Sequence, residues 1–301
     1  MSTTAVGSAT RPPLPPPAAR ATRARLAAIV QHQGALIALV AACLFGFARY
    51  AAFLTPENLL NVLRQNSMVG LVALGMTFVI LTAGIDLSVG SLLAVAGIAA
   101  AMLSPHGTLV AVLGGVGAAA LLGLVNGLTI ARGRIQPFVV TLAMMIAARG
   151  VALVATGENS VRVDAAATGL TWLGRGRVGP VPVPVLLLAL AYAAGWLVLR
   201  YTTFGRHVYA VGDDEDAARL LGLQVDRVLV GTYALSGALA GLAGVVLAAR
   251  LGAGQPVAGV GWELDAIAAV VVGGTLLTGG VGGAGLTLVG VLLLGVILNL
   301  L

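Results

Sequence analysis

Lysine is absent from this chain: all 17 of its basic residues are arginine. A Walker A loop places its GK[ST] lysine on the nucleotide phosphates, so ATP hydrolysis by that route is excluded. A retinal or pyridoxal Schiff base is excluded on the same ground. Cysteine is nearly absent. Cys43 stands alone, which removes an internal disulfide and any CxxC metal site. The three histidines, His32, His106 and His207, lie far apart in or beside expected loops, so no metal centre is expected, and no cofactor. Charge is scarce as well: charged residues make up 9% of the chain, against about a quarter in a soluble domain.

What is present is apolar. Hydrophobic residues are 59% of the 301 residues, with 42 glycines spread through the apolar runs, and the mean hydropathy is +1.02. The composition is that of an all-α polytopic membrane bundle, with room for roughly nine spans of about 20 residues. The net charge of +6 does not indicate nucleic-acid binding, because no basic stripe interleaves with aromatics.

Residues 1–32 form a polar, proline-rich lead expected to be disordered and cytosolic, followed by a membrane domain over 33–301. Arginines, an apolar run and Val40-Ala41-Ala42-Cys43 imitate a lipoprotein cleavage site. The long lead and the many later spans favour an uncleaved first span. Nine apolar runs read as helices at about 34–53, 62–82, 87–103, 109–130, 137–156, 182–199, 228–249, 264–278 and 285–301. The third is separated from the second only by a glycine-aspartate segment, and the eighth is short; both are candidates for broken or re-entrant helices, which need a protein or water-lined setting. Arginine bias, ten in inner loops against five in outer ones, places the N-terminus inside. Gly123-x-x-x-Gly127, Gly237-x-x-x-Gly241 and Gly279-x-x-x-Gly283 predict close helix crossings.

Four features are candidates for function. Asp86 sits in an apolar run with Gly84, Ser88, Gly90 and Ser91 around it. It is either part of a pathway break or a capping carboxylate at the inner end of its span, serving the next helix through Ser88. The inner loop of about 200–227 has an expected helical core, Asp213–Leu221, with acidic residues leading and Gly222 as a stop. Such a helix suits docking by a soluble partner, or is a solvated connection. Glu263 and Asp265 open an apolar run near the expected outer surface, as caps or as contacts for a partner or substrate. Arg149 is an expected intramembrane or interfacial cation, pairing within the bundle or snorkelling outward.

VALGMTFVILTAGIDLSVGSLLA, ARGRIQPFVVTLAMMIAARGV, TTFGRHVYAVGDDEDAARLLG and GQPVAGVGWELDAIAAVVVGGTLLTGG resemble, in order from about residue 34 onward, the permease subunit of ribose-type ABC sugar importers. The resemblance implies a bacterial inner-membrane permease of the ten-span type that is not itself an enzyme. It also implies a cytosolic ABC ATPase, an extracytoplasmic sugar-binding protein, a second permease copy and surrounding lipid as partners. An ATPase-docking EAA-like sequence maps onto Glu215, Asp216, Ala217, Ala218, Arg219 and Gly222, with Asp216 in place of the usual first alanine. Gly84, Asp86, Ser88, Gly90, Ser91, Glu263 and Asp265 are then pathway and signature positions. The family pattern continues beyond an LLGVILNLL-like end into a tenth helix, so the final helix is expected to be missing from this chain. A permease for another small solute (a branched-chain amino acid, a nucleoside or a signalling sugar), and a stand-alone secondary transporter or channel, are the alternatives.

Overall fold

A computed structural model describes the backbone from Pro17 to Leu301 and the side chains from Gln33 onward. Twelve helices follow in order: α1 Pro17–Arg49, α2 Pro56–Leu81, α3 Val89–Leu103, α4 Thr108–Gly133, α5 Pro137–Thr156, α6 Thr168–Arg175, α7 Val183–Tyr201, α8 Thr203–Asp213, α9 Glu215–Leu220, α10 Val225–Leu251, α11 Trp262–Gly273 and α12 Ala284–Leu300. Four two-residue strands complete the chain: β1 Val161–Arg162, β2 Arg177–Val178, β3 Val181–Pro182 and β4 Ala253–Gly254. β1 pairs antiparallel with β4, and β2 with β3.

The all-α bundle expected from composition is present. Each of the nine expected runs coincides with a helix, namely α1 to α5, α7 and α10 to α12, and one of them is short. Among the described residues six helices are long and apolar enough to cross a membrane: α2, α4, α5, α7, α10 and α3 with its 3₁₀ extension to His106; Gln33–Arg49 and Ala284–Leu300 are shorter apolar helices. The expected eighth span, 264–278, is instead the 12-residue α11. At 1.5 Å per residue it covers roughly 18 Å, too little for a ~30 Å hydrocarbon core. Of the expected disordered lead, the part from Pro17 onward is helical backbone, and the part before it lies outside the described residues. Cys43 lies within α1, partly buried.

Local signals account for several boundaries. α2 starts at Pro56 rather than at residue 62, because Thr55 caps it, accepting from the Asn58 N–H, and proline occupies the first helical position. α4 ends at Arg134 in the left-handed conformation, and Pro137 opens α5 three residues later.

α2 is the central element, almost wholly buried along its second half. It packs against α10, α12, α11 and α7. Polar ties reinforce these contacts: Thr77 and Thr287 share a buried hydroxyl bond of 2.7 Å, and the Tyr192 hydroxyl donates to the Gly70 carbonyl at 3.0 Å. α4 and α10 form the most extensive helix pair. A Cβ on Gly123 or Gly237 would overlap a carbonyl of the opposing helix, and one on Gly127 would meet the Val230 Cα at 2.7 Å. Two of the three expected small-residue crossings are therefore this one seam. The third, Gly279–Gly283, is not helical at all; it lies in the turn between α11 and α12.

The expected basic outer loop, 157–181, contains α6, whose buried Leu170 and Gly174 pack on the end of α10. β1 then pins this loop to β4, where the chain leaves α10. The opposite face carries α8 and α9 and is called inner, following the arginine bias.

Gly237→Val is expected to wedge α4 from α10 and cost roughly 1–3 kcal/mol, the usual range for overpacking. Gly117→Val, whose Cβ meets open space, is the matched control. Thermal unfolding in detergent should show a clear drop for the first and none for the second.

Candidate functional site

Three polar features stand inside or beside the apolar bundle. The first is the interruption between α2 and α3. Ala83 adopts a positive φ of 58° there, an uncommon conformation for a side chain-bearing residue, and α3 begins only at Val89. Within the gap the Asp86 carboxylate is fully buried, as are Ser88, Ser91, Asn126 and Ser236. Oδ1 of Asp86 accepts from the Ser88 N–H at 3.0 Å and from the Ser88 hydroxyl at 2.6 Å. Oδ2 accepts from the Ser236 hydroxyl on α10 at 2.9 Å. The Asn126 amide on α4 in turn donates to Ser88 Oγ at 2.9 Å, and the Thr141 hydroxyl on α5 donates to the Ile85 carbonyl at 3.2 Å.

Asp86 therefore braces the entry to α3 through the N–H of Ser88, the residue that precedes the helix, and does not itself cap a first-turn N–H. Its depth also differs from the capping reading. Asn126 lies roughly 10 Å of helix above the inner end of α4, so this knot sits about two helical turns in from that end rather than at it. No cation partners the carboxylate among the described residues. Ser91 lies one turn further along α3, buried and without a hydrogen-bond partner for its hydroxyl.

The second feature is the segment after β4. Gly254 packs on Gly97 of α3 and Gly259 on Gly90, so the chain descends alongside α3 into the bundle before α11 begins. A Cβ on Gly90 would overlap the Gly259 carbonyl and meet Glu263 Oε2 at 2.7 Å. Gly90 lies roughly 20 Å of helix below the outer end of α3. Glu263, expected near the outer surface, thus lies beside Gly90 at the inner start of α3. The sequence signal for this was the short apolar run with glycine on both flanks. The Arg149 guanidinium donates to the carbonyls of Pro256 and Ala258, the latter at 2.8 Å. Of the two readings of Arg149, pairing within the bundle holds. It satisfies non-helical backbone that would otherwise face hydrocarbon. Asp265 is exposed on α11 and is not brought to the Asp86 knot.

The third feature is the inner face. Asp214, not Asp213, starts the predicted short helix: its carboxylate accepts from the Ala217 N–H at 2.9 Å, and α9 runs Glu215–Leu220. Arg219 bridges Glu215 at 2.9 Å within α9 and Asp226 at 2.9 Å at the start of α10. Both pairs are solvent-exposed and contribute orientation more than stability. The hydrogen bonds to Glu215 and Asp226 hold the Arg219 pKa above its ordinary value. Gly222 follows with φ of 81°. Ala218 alone of the helix is buried. Leu220 and Leu221 are 90% and 79% exposed. This apolar pair is the feature of the inner loop that a charge-based reading passes over. Its signal was visible as two adjacent leucines closing a polar helix.

The Asp86 break and α9 face a common space. An open cavity of about 440 Å³ on the inner side is lined by Thr82, Ala83 and Gly84 from the break, by Arg134 and Gln136 from the α4–α5 turn, and by Glu215, Asp216 and Arg219 from α9. Tyr233, one turn before Ser236, also borders it; its hydroxyl lies where a Cβ on Gly84 would be and has no hydrogen-bond partner. So Gly84, Glu215, Asp216 and Arg219, far apart in sequence, border one cavity, while Asp86 and Ser88 sit just behind its wall.

Long apolar helices, an interrupted helix pair and a non-helical segment packed along α3 define a multi-pass membrane protein. The family model described as "Branched-chain amino acid transport system / permease component" matches residues 58–301. The chain belongs to this family of transport-system permeases. It is 44% identical over 279 residues to the ribose import permease protein of Escherichia coli K12, covering 90% of this chain and 85% of that one. It is 44% identical to the ribose import permease protein of Bacillus subtilis, over 82% of this chain and 78% of that protein. The L-arabinose ABC transporter permease of Azospirillum brasilense is 39% identical over 81% of this chain and 72% of its own. No solved structure matches the chain. The protein is a multi-pass permease component of the bacterial inner membrane.

Replacing Asp86 by leucine leaves the Ser88 N–H and the Ser88 and Ser236 hydroxyl protons without their acceptor in the interior, at roughly 1–3 kcal/mol per buried unsatisfied group. Asp86→Asn keeps one of the two acceptor oxygens. Detergent unfolding is expected to rank wild type above Asp86→Asn and Asp86→Asn above Asp86→Leu; equal stability of all three would remove the structural role of the carboxylate.

Proposed function

We propose that this permease imports a ribose-like monosaccharide, driven by a separate cytosolic ATPase that docks on α9 and supplied by an extracytoplasmic sugar-binding protein. A second permease copy completes the pathway. The sugar cargo is supported by the names of the relatives, which are ribose and arabinose permeases at 39–44% identity; they favour this over the other solutes considered. The absence of lysine, and with it of a Walker A loop, supports ATP hydrolysis by another subunit.

One observation carries the docking assignment. Leu220 and Leu221 project at 90% and 79% exposure from a short helix on the polar inner face, beside Glu215, Asp216 and Gly222. Two leucines held out into water by a capped, salt-bridged helix have no internal use, and a soluble partner that buries them gains the apolar area. Ala217, Ala218 and Arg219 set the helix: Ala218 roots it, and Arg219 ties it to α10. On the pathway side, Gly84, Asp86, Ser88, Gly90 and Ser91 shape the inner half of the cargo route. Glu263 lies beside Gly90 at the inner start of α3.

Leu220→Asp with Leu221→Asp is expected to weaken co-purification of the ATPase by at least about tenfold, as for a charge placed in the centre of an interface. The amount of permease in the membrane should not change. Glu215→Ala or Gly222→Val should depress ATP-dependent ribose uptake with insertion intact. Full retention of ATPase and of uptake in these variants removes the docking assignment; uptake driven by an ion gradient without ATP removes the importer class.

A further inference from the structure

The end of α8 is wedged into the bundle at a point that touches both interrupted membrane elements. Gly212 is the penultimate residue of α8 and is buried. A Cβ there would overlap the Leu81 carbonyl and reach the Gly280 nitrogen at 2.7 Å. Leu81 is the last residue of α2, immediately before the break that holds Asp86. Gly280 belongs to the turn between α11 and α12, and its N–H donates to the Leu81 carbonyl at 3.1 Å. From the other side, a Cβ on Gly279 would lie 2.6 Å from the Gly212 carbonyl and 2.9 Å from the Ala83 nitrogen. One turn earlier on α8, the Tyr209 hydroxyl donates to the Gly282 carbonyl at 2.9 Å. Only Asp213 and Asp214 separate Gly212 from α9, and Asp214 caps that helix.

We propose that Gly212, Leu81 and Gly280 form a transmission junction through which movement of α9 displaces the end of α2 and the α11–α12 turn as one body. The inference rests on α9 being the docking helix. The contact is backbone on backbone, with no side chain in between to flex, and packed interiors transmit displacement rather than absorb it. Tyr209 adds a second tether in the same direction. The consequence is specific. The stroke reaches the Asp86 break through Leu81 and Ala83, and reaches Glu263 and the Arg149-bound segment through α11, at the same moment. Tyr209 and Gly212 are thus positioning residues of transport, remote from any cargo contact.

The junction offers a direct test, because Gly280 would carry its Cβ about 3.3 Å from that of Asp213, near the ~3.5–4.5 Å separation of a disulfide. The lone Cys43 is first changed to serine. Asp213→Cys with Gly280→Cys is then oxidised in proteoliposomes that hold the permease with its ATPase and binding protein, and radiolabelled ribose uptake is measured. If the two parts move as one body, the cross-linked importer retains its uptake within about twofold of the reduced form. An uptake loss of about tenfold or more that reduction restores overturns the proposal; because Gly280 has a φ of 70°, which strains any side chain, a pair that does not cross-link leaves the decision to the Gly212 and Tyr209 variants. In parallel, Gly212→Val is expected to lower uptake about tenfold or more while ATP hydrolysis and co-purification of the ATPase persist; unchanged uptake overturns it. Should that variant fail to assemble, Tyr209→Phe is expected to give a several-fold loss of uptake with ATP hydrolysis retained, and no loss again overturns it. An unsubstituted complex that imports arabinose but not ribose revises the cargo alone, and the cross-link is then read with that sugar. Loss of ATPase binding in the unsubstituted complex removes the docking reading, and this inference with it.

Discussion

A carboxylate inside an apolar bundle has to be satisfied by its neighbours, and the hydrogen bonds to Asp86 set much of what surrounds it. Ser88 can reach Oδ1 through both its N–H and its hydroxyl only if the chain leaves helical geometry after Leu81 and re-enters it at Val89. Ser236 can reach Oδ2 only if α10 passes the break at the right height, and Asn126 extends the same demand to α4. Three helices are thereby registered around one interruption. The α4–α10 seam supplies the close approach that this requires, because its glycines let backbone meet backbone.

The second interruption is satisfied differently. The segment between β4 and α11 carries free carbonyls, and Arg149 donates to two of them from α5. A charged side chain thus compensates non-helical backbone, while in the first interruption backbone and hydroxyls compensate a charge. The two meet where Gly90 packs on Gly259 with the Glu263 carboxylate alongside. Both breaks lie inside protein, the condition under which a bilayer tolerates them.

The two faces of the molecule are built for different contacts. On the outer side β1–β4 and α6 bind the long loop down onto the end of α10. On the inner side α9 is held up from the bundle by one buried alanine and a salt bridge to α10, leaving its leucines in solvent. Between α9 and the Asp86 break lies the open inner cavity, which both elements line.

The chain by itself determined the class: too few charges for a soluble domain, no lysine for a phosphate loop, and apolar runs whose lengths allow little but helix. It also marked Asp86, Arg149 and the acidic helix of the inner loop as exceptions to its apolar rule, since a charge in such a background is legible from one residue. Two of the three small-residue pairs announced the α4–α10 seam for the same reason. Periodicity could not tell a full span from the half-helix α11, because hydropathy averages over a window and is blind to where a chain turns back. Nor could it place Glu263 beside Gly90, or distinguish the turn at Gly279–Gly283 from a helix face. Those positions depend on contacts between residues more than a hundred apart, and only the tertiary structure decides them. The identities of Leu220 and Leu221 were equally plain in the sequence, but their exposure was not: whether a leucine is buried depends on what packs over it.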